Sequence, residues 1–252
     1  MNGPGVGSVA RAIALLDVLA ESDGGARVNE LARSIGVNPS TASRLLGTLE
    51  AGGLVERTPG GPYRLGLKLV ALSDRVLGQL DVRDLARPRL TWLVQETGET
   101  ASLSVPGGGE AITVDFVPSP SSVASLARLG RPSVAHATAV GKVMLAFGQA
   151  APPAEPVAYT ERTITDPVVL ADELEAVKTA GVAEAVGERE PDLNALAAPV
   201  FGRGRELLAI LGLQGPAARL PAGKRRALRE PLRTAAAELG RSLGGPGGGE
   251  AR

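Results

Sequence analysis

The 252-residue chain contains no cysteine. Disulfides, thiolate metal sites and cysteine nucleophiles are thereby excluded. Phe, Trp and Tyr together make up 2% of the residues. The core must therefore be aliphatic, and there are too few rings for single-stranded bases to stack on. An excess of one charge is missing too, since Lys plus Arg and Asp plus Glu number 27 each. No global field draws the chain to nucleic acid, so any DNA affinity has to come from local placement. There is neither a signal peptide nor a long uninterrupted apolar run, so a cytoplasmic protein without membrane contact is expected. What is present is ample for ordinary cores: 44% of the residues are hydrophobic, 21% are charged, and the length suits two domains.

The most informative stretch runs from Val28 to Gly66. Asn29 is a candidate N-cap with Glu30 in the first turn, and Leu31, Ala32 and Ile35 share one helical face before Gly36 ends the helix. Asn38 can cap a second helix, with Pro39 at its first position, where the missing N–H costs nothing. In that helix Ala42, Leu45, Leu46 and Leu49 form a buried stripe. The opposite face carries Ser40, Thr41, Ser43, Arg44, Gly47 and Thr48, with no acid before Glu50. Short hydroxyls and one cation let such a face approach a polyanion closely, with the helix N-terminus pointing at phosphate. This is the pattern of a helix-turn-helix recognition helix. Leu54–Arg57 and Tyr63–Leu65 then read as strands around a Thr58-Pro59-Gly60-Gly61-Pro62 turn, which makes a wing. The DNA-contact candidates are Asn38, Ser40, Thr41, Ser43, Arg44 and Thr48, with Arg57 and Arg64 from the wing. The competing interpretation is a helical pair inside a larger fold, with these residues as its solvated face. A preceding helix from Ser8 is expected to bury Val9, Ile13, Leu16 and Leu19.

Beyond the wing, Leu67, Leu69, Val70, Leu72, Val76, Leu77 and Leu80 keep helical rhythm, so residues 67–81 read as a linker helix. It either supplies a dimer contact or packs on its own domain. The next helix, from Val82 to Glu96, holds Trp92, which is expected in the core. The period then changes to two, and Thr100–Phe116 reads as a hairpin, with Val123–Leu129 as a third strand. A loop enters a helix near Thr138, and another helix starts at Asp166-Pro167 and ends at Gly181. Two more strands, Ala195–Phe201 and Glu206–Leu213, precede a basic helix whose Lys224, Arg225, Arg226, Arg229 and Arg233 are expected mainly on a solvated face. The second domain is thus α+β.

No enzyme emerges from these residues, and neither a cofactor nor a metal is called for. Gly141-Lys142 lacks the Gly five residues earlier and the Ser or Thr after Lys that a phosphate loop needs. The one histidine, His136, has no nucleophile to serve and reads as structural. Glu188 and Glu190 read as surface acids. The small residues of Thr138-Ala139-Val140-Gly141 suit either a polar ligand at a helix N-terminus or close helix-on-sheet packing.

The segments SVARAIALLDVLAE, VNPSTASRLLGTLEAGGLVER, YRLGLKLVAL, GETASLSV, HATAVGKVMLAF, RTITDPVVLADELEAVKTAG and AAPVF, in this order, resemble the IclR family of bacterial transcriptional regulators. The resemblance spans about Ser8 to Leu243. It implies a winged helix-turn-helix DNA-binding domain (8–66), the linker helix (67–81) and a GAF-like effector-binding domain with an antiparallel sheet (82–243). It further implies a homodimer or homotetramer that binds a double-stranded operator and a small-molecule effector. By the same resemblance the effector site comprises the Thr138, Ala139, Val140 and Gly141 loop. The family's pocket Asp falls at Ala185, its frequent Cys at Ala195, and its two serines at Gly212 and Gln214. With these polar positions replaced, the pocket is expected to be larger and more apolar than one for a two- or three-carbon acid.

Overall fold

A computed structural model describes residues 7–22, 24–77, 81–121, 129–130, 132–148 and 150–244. Two compact units result, Met1–Gln79 and Leu80–Arg252.

In the first unit, α1 (Gly7–Glu21), α2 (Val28–Ser34) and α3 (Pro39–Ala51) lead into the two-stranded wing of β1 (Val55–Arg57) and β2 (Tyr63–Leu65). Thr58 N donates to Pro62 O at 2.8 Å and Gly61 N to Thr58 O at 2.9 Å, which closes the wing turn. Residue Ala26 pairs with Tyr63 and lengthens the wing by one bridge. The core is aliphatic, with Leu15, Leu19, Leu31, Leu46, Leu49 and Val55 around Tyr63. Two sequence expectations need correction here. Asn29 does not cap α2: the cap is Arg27, whose backbone N–H donates to Glu30 Oε2 at 2.8 Å, so the first-turn acid does the work. In α1, Val9 and Ile13 are more than half exposed; Leu19 is buried and Leu16 half-buried as expected, and Leu15 and Ala12 complete the covered stripe. The helix offers two overlapping apolar stripes, and only the one meeting α3 and the wing is covered.

Helix α4 (Lys68–Leu77) follows the wing, and Leu67, Val70 and Leu72 are exposed. Of the expected 67–81 helix, residues 78–80 lie outside the described residues.

The second unit is one antiparallel sheet between two helical pairs. The strands β3 (Thr100–Gly107), β4 (Glu110–Val117), β5 (Ala183–Val186), β6 (Leu193–Phe201) and β7 (Leu207–Pro216) stand in the order β4-β3-β7-β6-β5. Helices α5 (Asp81–Thr97) and α8 (Ala222–Ser242) pack on one another and on the sheet, as do α6 (Ala139–Phe147) and α7 (Pro167–Ala180). Asp166 caps α7 through Val168 N and Val169 N, and Gly181 ends it with φ +66°, a left-handed conformation that glycine adopts without penalty. Strand β5 was not expected from the sequence, because four residues between a helix stop and a polar loop carry little alternation. The expected strand at Val123–Leu129 lies outside the described residues except for Leu129, which is in a turn.

Two burial expectations also fail. Trp92 is 40% exposed rather than in the core. Glu188 is buried rather than on the surface. On the basic helix α8, Arg226, Arg229 and Arg233 are exposed as expected, while half-buried Arg225 joins Arg229 in holding Glu184 and half-buried Lys224 reaches Glu99 and Thr97 O. His136 is structural as expected, being buried with Nε2 at 2.9 Å from Val157 O and stacked on Tyr159.

Candidate functional site

In the first unit the recognition helix is built as its sequence indicates. Asn38 Oδ1 accepts from Thr41 N at 2.8 Å and Pro39 takes the first helical position, while Ala42, Leu46 and Leu49 are buried. Ser40, Ser43, Arg44 and Thr48 stand exposed on the other side, with Thr41 half-buried. Their hydrogen bonding separates them. Ser40 donates its hydroxyl to Asn38 Oδ1 at 2.8 Å, so in this arrangement it faces a partner as an acceptor. Thr48 donates back to Arg44 O at 3.1 Å, which leaves its methyl and lone pairs for a neighbour. Asn38 spends its oxygen on the cap, so only its amide N–H groups can reach DNA. Arg44 forms no ion pair among the described residues. In the wing, Arg64 is paired with Glu56, and Arg57 lies 5.8 Å over the Tyr63 ring with Nε at 3.4 Å from Gly61 O. The pairing of Arg64 weakens its claim to a phosphate, although an exposed pair of this kind holds by only about 0–1 kcal/mol.

In the second unit a cavity of about 630 Å³ opens over the sheet at the N-terminus of α6. Antiparallel register assembles its floor. Ala185 faces Ala195, and Ala195 faces Gln214, so three strands contribute one row. The neighbouring row is Ala197, Gly212 and Ser102. With a side-chain period of two, both rows look toward α6. Side chains are nearly absent where Ala185, Ala195 and Gly212 stand, and this leaves the room. A Cβ on Gly212 would stand 2.7 Å from Ser102 Oγ and 3.2 Å from Val140 Cγ2.

The α6 cap supplies the roof. Thr138 Oγ1 accepts from Gly141 N at 3.0 Å, and the hydroxyl donates to Val134 O at 2.8 Å. Thr138, Ala139 and Val140 line the cavity, as do Ala185, Ala195, Gly212 and Gln214. Gly141 does not. A Cβ there would collide with the carbonyl oxygens of Val134 and Ala135, so its smallness serves close packing. Close packing thus accounts for Gly141, while Thr138, Ala139 and Val140 border the cavity.

Sequence reasoning missed one wall. Ser102, Thr113 and Phe116 enter from the hairpin, Ser133 and Val134 from the loop before α6, and Glu188, Arg189 and Glu190 from the β5–β6 loop. The hydroxyls at Ser102 and Ser104, on alternate positions of a central strand, were the available signal for the hairpin side. For the loop there was none. The cavity therefore has small residues on its floor and charges at one side.

Behind that side lies a buried ion cluster. Lys142, 1% exposed, donates to Glu188 Oε1 at 2.8 Å, Glu184 O at 2.9 Å and Glu173 Oε1 at 3.1 Å, so every N–H of its ammonium is used. The edge strand β5 is thereby tied to α6 and α7 through Lys142, and to α8 through the Glu184 carboxylate. Burial raises the Glu184 pKa, but hydrogen bonds and charge from Arg225 and Arg229 outweigh it and hold it below the ordinary carboxylate value. No group of three or more potential metal ligands occurs among the described residues.

Known proteins share this combination. The family description "IclR helix-turn-helix domain" matches residues 8–59, and "Bacterial transcriptional regulator IclR C-terminal" matches residues 74–241. The chain belongs to the IclR family. It is 31% identical over 250 residues to the HTH-type transcriptional regulator XynR of Escherichia coli (strain K12), covering 96% of this chain and 99% of that one. An IclR transcriptional regulator from Alicyclobacillus acidocaldarius superposes with a TM-score of 0.79 at 26% identity, covering 95% and 99% of the two chains. An IclR homolog from Microbacterium hydrocarbonoxydans, solved with 4-hydroxybenzoate, superposes with a TM-score of 0.77 at 26% identity, covering 94% and 98%. As an IclR-family member the chain is a DNA-binding transcriptional regulator with an effector-binding C-terminal domain, and not an enzyme. No helix among its described residues is long and apolar enough to cross a membrane.

Proposed function

We propose that this IclR-family regulator binds a pseudo-palindromic operator in the cytoplasm as a homodimer, or as a tetramer of two dimers. Residues 8–66 bind DNA, 67–81 link, and 82–243 receive the effector. One winged helix makes few contacts, and a dimer places two recognition helices about one helical turn, or a multiple of it, apart on the duplex. The exposed Arg44 is the base-reading candidate, with Asn38, Ser40, Thr41, Ser43 and Thr48 beside it and Arg57 and Arg64 on the flanking phosphates.

The effector is an organic acid with an apolar body, seated between the α6 N-terminus and the floor formed by Ala185, Ala195 and Gly212. The observation that carries this is the size of the cavity over a floor of alanine and glycine, too roomy to fix an acid of two or three carbons. The carboxylate is met by the first-turn amides of α6 at Ala139 and Val140. Support comes from the Microbacterium hydrocarbonoxydans homolog, whose structure holds 4-hydroxybenzoate. Thermal-shift measurements with glyoxylate and pyruvate beside aromatic and branched acids test the assignment. Stabilisation is expected from the larger acids, with a matching change in operator affinity; stabilisation by the small acids alone contradicts it.

A further inference from the structure

Two arginines meet at the wing turn without a counter-ion. Arg27, immediately before α2, reaches across to the wing and donates from Nη2 to Gly60 O at 3.3 Å. Arg57, the last residue of β1, donates from Nε to Gly61 O at 3.4 Å. A Cβ on Gly61 would stand 3.7 Å from Arg27 Nη1 and 3.9 Å from Arg57 Nη2, so both guanidinia border one point at the turn. Both residues are exposed, and neither forms an ion pair among the described residues. The acids of the adjoining elements are engaged elsewhere: Glu56 pairs with Arg64, and Glu30 Oε2 accepts from Arg27 N. Two like charges side by side repel, so the fold gains nothing from bringing them together. Arg27 also breaks a local rule. It takes the N-cap position of α2, where Ser, Thr, Asp or Asn would offer an acceptor to the first-turn N–H groups, and a guanidinium has no acceptor to offer. Sequences break such rules chiefly where function requires it.

We infer that Arg27 and Arg57 form a phosphate clamp, in which one phosphate of the DNA backbone accepts from both guanidinia at the Gly60-Gly61 turn. Arg27 thereby joins the DNA-contact residues although it lies on neither the recognition helix nor the wing strands. A guanidinium presents its N–H groups in a planar fork that matches phosphate oxygens. Each arginine here spends one nitrogen on a turn carbonyl, which fixes its direction, and keeps the others for a ligand. Two glycines in the turn leave no side chain in the way of a close approach. Such a clamp reads no base; it sets the register of the protein on the duplex and strengthens binding to every sequence. The inference rests on the first unit binding DNA, and adds to it the pair that fastens the wing to the backbone.

Fluorescence anisotropy on the full chain tests this with two probes, a random-sequence duplex and the duplex immediately upstream of its own gene, each over a series of salt concentrations. Arg27→Ser gives α2 a capping side chain, so thermal stability should hold or rise while affinity falls at least about tenfold on both duplexes alike. Arg226→Ser removes an equal charge from an exposed position of α8 and should leave affinity unchanged. The double variant Arg27→Ser, Arg57→Gln gives up the shared phosphate, so the slope of log affinity against log salt should shrink by about 1 for each wing engaged. Wild-type affinity in Arg27→Ser, or a loss that Arg226→Ser equals, would overturn the assignment of Arg27 while leaving DNA binding by this unit standing. A fall in thermal stability alongside the affinity would make Arg27 a strut of the wing and overturn the clamp. A slope that shrinks by about 2 for each wing would give each arginine a phosphate of its own and overturn the sharing. A wild-type chain that binds neither duplex at any salt concentration would overturn both the clamp and DNA binding by this unit.

Discussion

Helices α3 and α6 begin alike. Each has a polar cap, Asn38 or Thr138, whose side-chain oxygen accepts from a backbone N–H three residues on. Each is rich in small residues and carries a single cation, Arg44 in one and Lys142 in the other. Their fates are opposite. Arg44 stands exposed, with no ion pair among the described residues, whereas Lys142 is 1% exposed and makes three hydrogen bonds, to α7, β5 and the β5–β6 loop. The local chemistry of a helix start therefore does not say whether its cation serves a partner or the fold. What decides is whether acids from elsewhere in the chain converge on it, as Glu173 and Glu188 do on Lys142.

From that contrast, the largest effect on stability belongs to α6. Lys142→Met removes the cation that compensates the buried Glu188 carboxylate, together with its three hydrogen bonds, and the loss should be about 3–5 kcal/mol in denaturant unfolding. A loss below about 1 kcal/mol would mean that solvent reaches the cluster. The converse holds for α3. Arg44→Ala should leave unfolding unchanged but weaken operator binding by about 1–3 kcal/mol and relax preference at one base per half-site. Equal weakening on every sequence would reassign Arg44 to phosphate, and unchanged binding would remove it from the interface.

Smaller effects sharpen the comparison. Asn38→Ala deprives α3 of its cap and should cost about 1 kcal/mol in stability, and affinity should fall with it. Acid separates the two units further. Because the folded pKa of Glu184 is depressed, its contribution to stability is present above the usual carboxylate range. It is lost as pH falls through that range and the depressed folded value. The unfolding midpoint should therefore fall with acidification through the effector unit, and Glu184→Gln should flatten that dependence while lowering stability at neutral pH.

Much of this arrangement was legible in the chain. The turn between α2 and α3, the Asn38 cap, the Ala42–Leu49 stripe and the wing all follow from contacts within a few residues, so local pattern sufficed. The hairpin β3–β4 and helix α7 were legible for the same reason, with Asp166-Pro167 and Gly181 as start and stop. The cavity positions Ala185, Ala195, Gly212 and Gln214 came from family resemblance rather than local pattern, and register brings them side by side from three strands. What escaped were features that need two distant segments at once. Glu188 looks like any loop acid until β5 and α6 enclose it, and Arg225 and Arg229 look solvated until Glu184 meets them. Trp92 is an apolar ring on a helix, and only the packing of α5 against α8 and the sheet shows that its face stays open.

The sequence by itself determined most of the elements, the caps of α3 and α7, the wing turn and the family, because helix stripes, turn residues and motif order are encoded over short spans. Tertiary structure alone decided which of two stripes on α1 is covered, which cation is buried, and that Glu188 is buried beside a floor of alanine and glycine. Those outcomes depend on register across strands and on desolvation by remote segments, and neither is a property of any short stretch of chain.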